Sequence, residues 1–227
     1  MDPYRFGFDN PINFTDPTGL LESTHTDEDG NVIAVRKDGD KGVYKHVGNE
    51  DEALSCFEEN YSANNPSAGG EKMSETEFID EFIDPETGNE MTNYTIEFNS
   101  SFDNVIKEIN NKAKGEGLIS IMFESVPNGD YDIKVPLENV ARKLNGKYAT
   151  SRSAGNYLAG MNAAVGTLGG QHITFDYFQN FAGALHKGGK TGLAQTILYG
   201  KDWGTPPLYG ENVYQYRMSR MGWDNSK

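Results

Sequence analysis

The stretch SRSAGNYLAGMNAA, Ser151–Ala164, decides the character of the last third of the chain. It predicts a helix whose small residues allow a neighbouring element to approach closely. Three further helices are predicted downstream, at Thr174–His186, Thr191–Tyr199 and Glu211–Met221. We therefore expect a compact helical C-terminal half.

The chain before this stretch is richer in β-type patterns. Short runs typical of strands occur at Asn31–Arg36, Gly42–Val47, Met91–Phe98, Leu118–Phe123 and Tyr131–Val135. The Asp38-Gly39 turn predicts that the first two form a hairpin, and Phe102–Lys114 has the apolar spacing of an amphipathic helix. Gly48–Lys72, rich in Asn, Ser, Glu and Gly, is interpreted as an acidic linker or mobile loop. The predicted fold class is α+β: a small antiparallel sheet with one helix, followed by the helical half.

Composition excludes several classes of protein. The chain has 227 residues and one cysteine, Cys56, which rules out an internal disulfide framework and a Cys-rich zinc cluster. No stretch approaches the roughly 18 consecutive apolar residues of a membrane span, so none is expected. The N-terminus lacks the basic-then-apolar profile of a signal peptide.

Charge is unevenly distributed along the chain. Residues 147–227 contain eight Lys and Arg against four Asp and Glu, a net of +4, whereas residues 1–146 contain 12 against 30, a net of −18. A basic C-terminal region can approach an anionic polymer or an acidic partner. The alternative, ordinary variation in charge, stays open.

Several polar residues of the second half are candidates for chemistry. Asp132 and Lys134 lie two apart on a predicted strand, hence on one face, where they could serve as a general base and an electrostatic clamp, or form a weak surface ion pair. Asn156 is a polar residue in a Gly- and Ala-rich helix and binds either substrate or a neighbouring loop. Glu211 opens the last predicted helix, where simple helix capping competes with a catalytic role.

Histidines supply the remaining catalytic candidates. His172 and His186 could shuttle protons while Lys134, Lys187 or Arg152 holds a phosphate; the alternative is that both histidines are structural. Gln215 lies one turn after Glu211 on the same helix face, and Arg217 lies nearer the opposite side. No metal-binding motif is present, so no metal or cofactor is expected.

The N-terminal segment carries a long and specific motif. Asp9-Asn10-Pro11 is followed four residues later by Asp16-Pro17-Thr18-Gly19-Leu20. Tyr4–Leu20 resembles the end of an Rhs repeat-associated core, the element that closes the Rhs shell before an exchangeable toxin. The resemblance implies cleavage after Leu20, with Asp16, Pro17, Gly19 and Leu20 as the cleavage motif. The acids that cut belong to the shell, so this chain alone is not expected to cleave itself.

A second resemblance covers roughly Tyr131–Gly222. Tyr131–Lys134, Ser153–Gly166, Phe181–His186 and Leu208–Gln215 occur in the order of the polymorphic toxin type 44 family. The sequence departs from that pattern at Tyr131, where the family has tryptophan, at His186, where it has glutamine, and at Glu211, where it has aspartate. The resemblance implies a toxin domain over residues 73–227, preceded by the hairpin and linker of residues 21–72 and the core end of residues 1–20.

Together, the two resemblances imply the C-terminal toxin of a bacterial Rhs protein, a secreted effector delivered into target bacterial cells. The partners implied are a cognate immunity protein and the Rhs shell of the parent chain. A ribonuclease is favoured by the basic C-terminal region and by the histidine and lysine inventory. The alternatives are a peptidoglycan hydrolase in which Glu211 or Asp132 is the general acid, and a non-enzymatic binding toxin.

The expected site follows from these candidates. The catalytic residues are expected among Asp132, Lys134, His172, His186 and Glu211. Substrate binding is expected from Arg152, Asn156, Tyr209, Gln215 and Arg217.

Overall fold

The structure is a computed structural model that describes residues 21–226, and the α+β fold class is confirmed. The strands are β1 Glu22–Thr26, β2 Val32–Lys37, β3 Gly42–Lys45, β4 Glu71–Glu75, β5 Thr95–Ser101, β6 Val140–Leu144, β7 Lys147–Thr150, β8 Thr167–Leu168 and β9 Gln171–His172. The helices are α1 Glu50–Asn60, α2 Asp103–Ala113, α3 Leu118–Glu124, α4 Ser151–Val165, α5 Phe175–Tyr199 and α6 Val213–Asp224. None of these six helices combines the length and the hydropathy that crossing a bilayer requires.

The described chain divides into two compact units. The first unit comprises residues 21–101 and 139–150, and the second comprises residues 102–138 and 151–226. Residues 21–72, which the sequence set apart as hairpin and linker, therefore belong to the same unit as the strands that follow them. The candidate cleavage residues Asp16, Pro17, Gly19 and Leu20 lie outside the described residues.

A four-stranded sheet in the order β2-β1-β3-β4 dominates the first unit. β1 pairs antiparallel with β2 and parallel with β3. The predicted hairpin is therefore wrong: its two strands exist, but β1 lies between them. β1 was missed because its sequence, Glu-Ser-Thr-His-Thr, is polar, although all five of its residues are buried.

The segment Gly48–Lys72 is not a linker. It contains α1, whose start Asn49 and Glu52 cap reciprocally. The Asn49 side chain accepts from the Glu52 N–H, and the Glu52 side chain accepts from the Asn49 N–H. Ala53 and Phe57 are the buried residues of this helix. The sequence prediction missed α1 because the polar and acidic composition of the segment outweighs these two buried apolar residues.

A second sheet of the first unit has the order β5-β6-β7, with β5 parallel to β6 and β6 antiparallel to β7. The strand predicted at Met91–Phe98 is shifted towards the C-terminus and begins at Thr95. The amphipathic helix predicted after it is confirmed as α2, which belongs to the second unit and buries Ile106, Ile109 and Ala113.

Two strand predictions in the second unit are wrong. Leu118–Phe123 lies in helix α3, which buries Leu118, Ile121 and Met122 on one face. Tyr131–Val135 lies outside every strand. A short apolar run fits a buried helix as well as a strand, because periodicity cannot separate the two over six residues.

The close packing of α4 against α6 fixes the framework of the second unit. The predicted helix at Ser151–Ala164 is confirmed as α4. A side chain at Gly160 would overlap the backbone of Ser219, and one at Gly222 would overlap the backbone of Tyr157. Glycine at both positions lets the two helix backbones approach each other directly.

The other predicted helices are also present. Thr174–His186 and Thr191–Tyr199 correspond to the two helical segments of α5, which Gly189 separates because its φ of 57° and ψ of −151° are not helical. Thr174 caps its start, as its side chain accepts from the Tyr177 N–H. α6 begins at Val213 rather than Glu211, because Asn212 and Gln215 form a reciprocal cap there.

Candidate active site

The second unit contains a cavity of about 480 Å³, here called the first cavity. Its lining is mostly apolar with a small number of polar groups, which is the usual character of a small-molecule or catalytic site. The residues that line it are Ile121, Met122, Ser125, Val126, Pro127, Lys134, Asn156, Ala159, Ala163, Phe178, Ala182, Leu185, His186, Gly189, Lys190, Glu211, Gln215 and Ser219. They belong to α3, the loop after α3, α4, α5 and α6, and Glu211 lies just before α6.

Glu211 is the one carboxylate among these lining residues. It lies directly before Asn212, the cap of α6, and its backbone N–H donates to the Leu208 carbonyl at 2.9 Å. The Gln179 amide donates to Glu211 Oε2 at 2.5 Å. Burial raises the pKa of Glu211 to about 7, and the Gln179 hydrogen bond and the Lys134 charge oppose that rise. A carboxyl group of this pKa exchanges protons near neutral pH.

Lys134 is the cation whose charge lowers the pKa of Glu211. Burial lowers its pKa, while the charges of Asp132 and Glu211 act in the opposite direction. Its aliphatic stem lies against Gly155 of α4, where a side chain would collide with it. The lack of a side chain at Gly155 therefore makes room for this ammonium group.

Asp132 positions the Lys134 loop rather than lining the cavity. Its Oδ1 accepts from the Lys134 N–H at 2.8 Å and from the Val135 N–H at 3.4 Å, and its Oδ2 accepts from the Asn128 N–H at 2.9 Å. The expectation that Asp132 and Lys134 share a strand face is wrong, because they lie in a loop. A carboxylate that accepts three backbone N–H groups stabilises the turn instead.

Asn156 of α4 lines the site and has an unsatisfied side-chain group. Its side chain is buried, and its Nδ2 has no hydrogen-bond partner among the described residues. An unpaired amide donor in a cavity costs free energy unless a ligand acceptor satisfies it. The two roles predicted for Asn156, substrate binding and tying down a loop, both stay predictions.

His186 lies at the exposed side of the cavity, next to Gln215. Gln215 Oε1 accepts from the Asn212 N–H at 3.3 Å, which orients its amide nitrogen towards His186 Nδ1 at 3.2 Å. Because that nitrogen donates, His186 Nδ1 accepts, and the imidazole proton resides on Nε2. In this arrangement, Nε2–H is the hydrogen-bond donor of the His186 ring.

Four other predicted site residues are not among those lining the first cavity. Arg152 lies over the Tyr214 ring, 4.5 Å from its centre. The Tyr209 hydroxyl donates to Asp176 at 2.8 Å and is buried. Arg217 is half-buried on α6. His172 lines a different cavity, with Lys114 and Arg220.

Sequence reasoning missed Gln179 and Lys190. Gln179 is fully buried on α5 and holds Glu211, and Lys190 lines the cavity immediately after the Gly189 bend. A signal for Gln179 was present: like Asn156, it is an amide side chain in an otherwise apolar helix stretch. Within residues 21–226, no group of three or more His, Cys, Asp and Glu is arranged to hold a metal ion.

Comparison of the chain with models of known protein families, with curated proteins and with solved structures finds no match in any of the three. The two resemblances described above therefore stay predictions.

Proposed function

We propose that this chain is the toxin domain of a bacterial Rhs protein, released by cleavage after Leu20, and that it cleaves RNA without a metal ion. The Rhs motif at the N-terminus supports the toxin role, together with delivery into a target bacterium and neutralisation by an immunity protein. The activity rests on one observation: Glu211 and Lys134 line the same cavity as Asn156, whose amide nitrogen has no partner among the described residues, and His186, which Gln215 orients.

RNA supplies its own nucleophile, so a carboxylate and an ammonium group are sufficient for its cleavage. The Glu211 carboxylate takes the proton of the ribose 2′-hydroxyl, and the 2′-oxygen attacks phosphorus. The 5′-oxygen leaves with a proton from the Lys134 ammonium, which yields a 2′,3′-cyclic phosphate and a 5′-hydroxyl. Proton transfer from Glu211 to Lys134 then restores both groups.

The shifts in pKa suit this cycle. Burial raises the pKa of Glu211 and lowers that of Lys134, so the two values approach each other and proton transfer between the groups costs less. Asn156 Nδ2 and His186 Nε2–H are donors for the phosphoryl oxygens, where negative charge increases in the transition state.

A peptidoglycan hydrolase is the second candidate. Its support is Glu211 itself, because a carboxyl group with a pKa of about 7 can protonate a glycosidic oxygen. Most glycosidases need a second carboxylate, and Asp132, the other acid proposed from the sequence, is engaged by backbone N–H groups. A buried cation also has a clearer role beside a phosphodiester than beside a neutral sugar.

The test compares three purified full-length chains: the unaltered protein, Glu211→Gln, and Glu138→Gln as an exposed carboxylate control from the same unit. The substrates are a labelled RNA, a DNA of the same sequence and isolated peptidoglycan. We expect cleavage of RNA alone, with the rate lowered at least about 100-fold by Glu211→Gln and unchanged by Glu138→Gln. Release of peptidoglycan fragments with intact RNA would establish the second candidate and exclude the first.

A further inference from the structure

A second cavity of about 760 Å³ lies within the same unit. Its lining contains three basic side chains and no carboxylate. The lining residues are Lys114, Ala164, Val165, His172, Ile173, Thr174, Phe175, Arg220, Trp223 and Ser226. The second cavity therefore combines basic and apolar residues, whereas the lining of the first cavity includes a carboxyl group, that of Glu211.

The two lysine and arginine groups keep donors available for an anion. Lys114 Nζ donates to the neutral amide oxygen of Asn111 at 3.0 Å, so this bond leaves its charge uncompensated. Arg220 stacks over Phe175 at 5.0 Å, and its Nε donates to Asp224 at 2.9 Å. Among the described residues, no hydrogen bond or ion pair uses the two terminal nitrogens of Arg220, the pair that binds phosphate oxygens most effectively.

His172 adds a hydrogen-bond acceptor to the donors of Lys114 and Arg220. Its Nδ1 lies 3.2 Å from the Gly166 carbonyl, which can only accept, so Nδ1 carries the proton. In the tautomer that this bond selects, Nε2 is the hydrogen-bond acceptor of the exposed ring. Phosphate donors combined with an acceptor for a hydroxyl group match the backbone of RNA, which alternates phosphates with ribose hydroxyls.

Three helices, α4, α5 and α6, contribute residues to both cavities. α4 contributes Ala163 to the first and Ala164 to the second, and α6 contributes Ser219 to the first and Arg220 to the second. α5 contributes Phe178 to the first and Phe175, one turn earlier, to the second. A strand bound in both cavities would follow these three helices from Glu211 to Arg220.

We infer that the second cavity is a subsite for the sugar–phosphate backbone of an RNA strand outside the cleaved bond, with Lys114 and Arg220 as its phosphate ligands. This inference rests on the proposed ribonuclease function. The subsite binds RNA without preference for sequence, because phosphates carry no base identity. Its contribution grows with the length of the substrate.

The binding test uses the full chain with Glu211→Gln, which blocks cleavage, and a fluorescein-labelled single-stranded RNA of about 12 nucleotides. Adding Lys114→Gln and Arg220→Gln keeps part of each side-chain stem and removes both charges; Lys107→Gln with Lys112→Gln on α2 is the matched control. We expect Kd to rise about tenfold for RNAs of different sequence, and the slope of log Kd against log salt to fall by about 1.4, the value for two phosphate contacts on a single strand. Equal effects of the two pairs would overturn the subsite.

A kinetic test separates this inference from the proposed function. In chains with Glu211 intact, the Lys114 and Arg220 substitutions are expected to raise KM for the 12-nucleotide RNA about tenfold and to leave cleavage of a dinucleotide unchanged. Equal loss on both substrates would overturn the subsite while ribonuclease activity stands. If the unaltered chain cleaves neither substrate, the proposed function fails, and the binding measurement alone then decides whether the second cavity holds RNA. Thermal unfolding of every variant confirms that the fold is kept.

Discussion

The two units of this chain place buried titratable groups in opposite settings. The first unit has 20 Asp and Glu against 8 Lys and Arg, and the second has 11 against 10. Several buried polar side chains of the first unit contact one another, whereas several polar side chains of the second line cavities. The difference teaches that burial of a charged or polar group marks a functional site only where open space adjoins it.

Several buried polar side chains of the first unit are connected in series by hydrogen bonds. Ser23 donates to Asp38 at 2.6 Å and contacts His25 at 3.0 Å, and His25 contacts His46 at 3.0 Å. Burial lowers the pKa of His25 to about 3, so it stays neutral. Glu81 accepts from both the N–H and the hydroxyl of Thr150. These groups are occupied by the fold itself.

Comparable groups of the second unit line the first cavity. Asn156 Nδ2 has no partner in the described part of the chain, and Glu211 shares its cavity with Lys134. Such an arrangement lowers stability unless a substrate or partner compensates for it. We therefore expect substitutions in the two units to change different measurable properties.

The largest effect is expected where the helix framework of the second unit is broken. Gly160→Val places a side chain into the backbone of Ser219, and the α4–α6 contact must separate. We expect a loss of about 3 kcal/mol or more in the free energy of unfolding, measured by denaturant titration. Gly117→Ala is the control, since its nearest atom would lie 3.9 Å away, and it should cost less than about 1 kcal/mol. Equal losses would contradict the close packing.

Removal of the cavity cation separates activity from stability. Lys134→Met keeps the aliphatic stem against Gly155 and removes a charge whose burial is unfavourable. We expect RNA cleavage to fall about 100-fold while the free energy of unfolding stays the same or rises. Lys107→Met, at an exposed site on α2, should change neither property. A Lys134→Met chain that is active but less stable would show that Lys134 has a structural role.

In the first unit, a buried carboxyl group should change stability alone. Burial, and then the Asp80 charge, raise the pKa of Glu22 to about 8. Its stabilising contribution is therefore complete below the unfolded pKa of 4.5 and is lost as pH rises through about 8. Glu22→Gln should flatten this dependence by several kcal/mol, up to about 5, measured by hydrogen exchange of the β1 amides, without changing RNA cleavage.

The exposed Glu59→Gln on α1 is the control for Glu22→Gln and should keep the pH dependence of the unaltered chain. If both variants lose stability equally with rising pH, Glu22 is not the titrating group. If Glu22→Gln abolishes cleavage, the contrast between the units fails.

The sequence predicted the helical frame better than the strands. α2 and α4 were predicted correctly because their apolar or small residues recur with helical spacing. β1 was missed because its polar residues are buried by neighbouring strands, a tertiary effect that composition does not reveal. Leu118–Phe123 was assigned to a strand because six apolar residues fit either element, and helix α3 is selected by packing.

The candidate site was partly predictable as well. Lys134, Asn156, His186, Glu211 and Gln215 were all named from the sequence, and the structure brings them to one cavity. Gln179 was missed because its importance depends on a contact with Glu211, 32 residues away along the chain. Asp132 was assigned to chemistry because its hydrogen bonds to the loop backbone cannot be read from the sequence.

The dependence of RNA cleavage on pH tests the central claim most directly. The Glu211 carboxylate is the proposed base, so kcat/KM should rise with pH along a limb with a midpoint near 7. Gln179 hydrogen-bonds to Glu211 and lowers its pKa, so Gln179→Leu should move that midpoint upward, whereas Gln195→Leu on the same helix should not. A midpoint that stays in place in Gln179→Leu, or a rate independent of pH across this range, would contradict the assignment of Glu211 as the catalytic group.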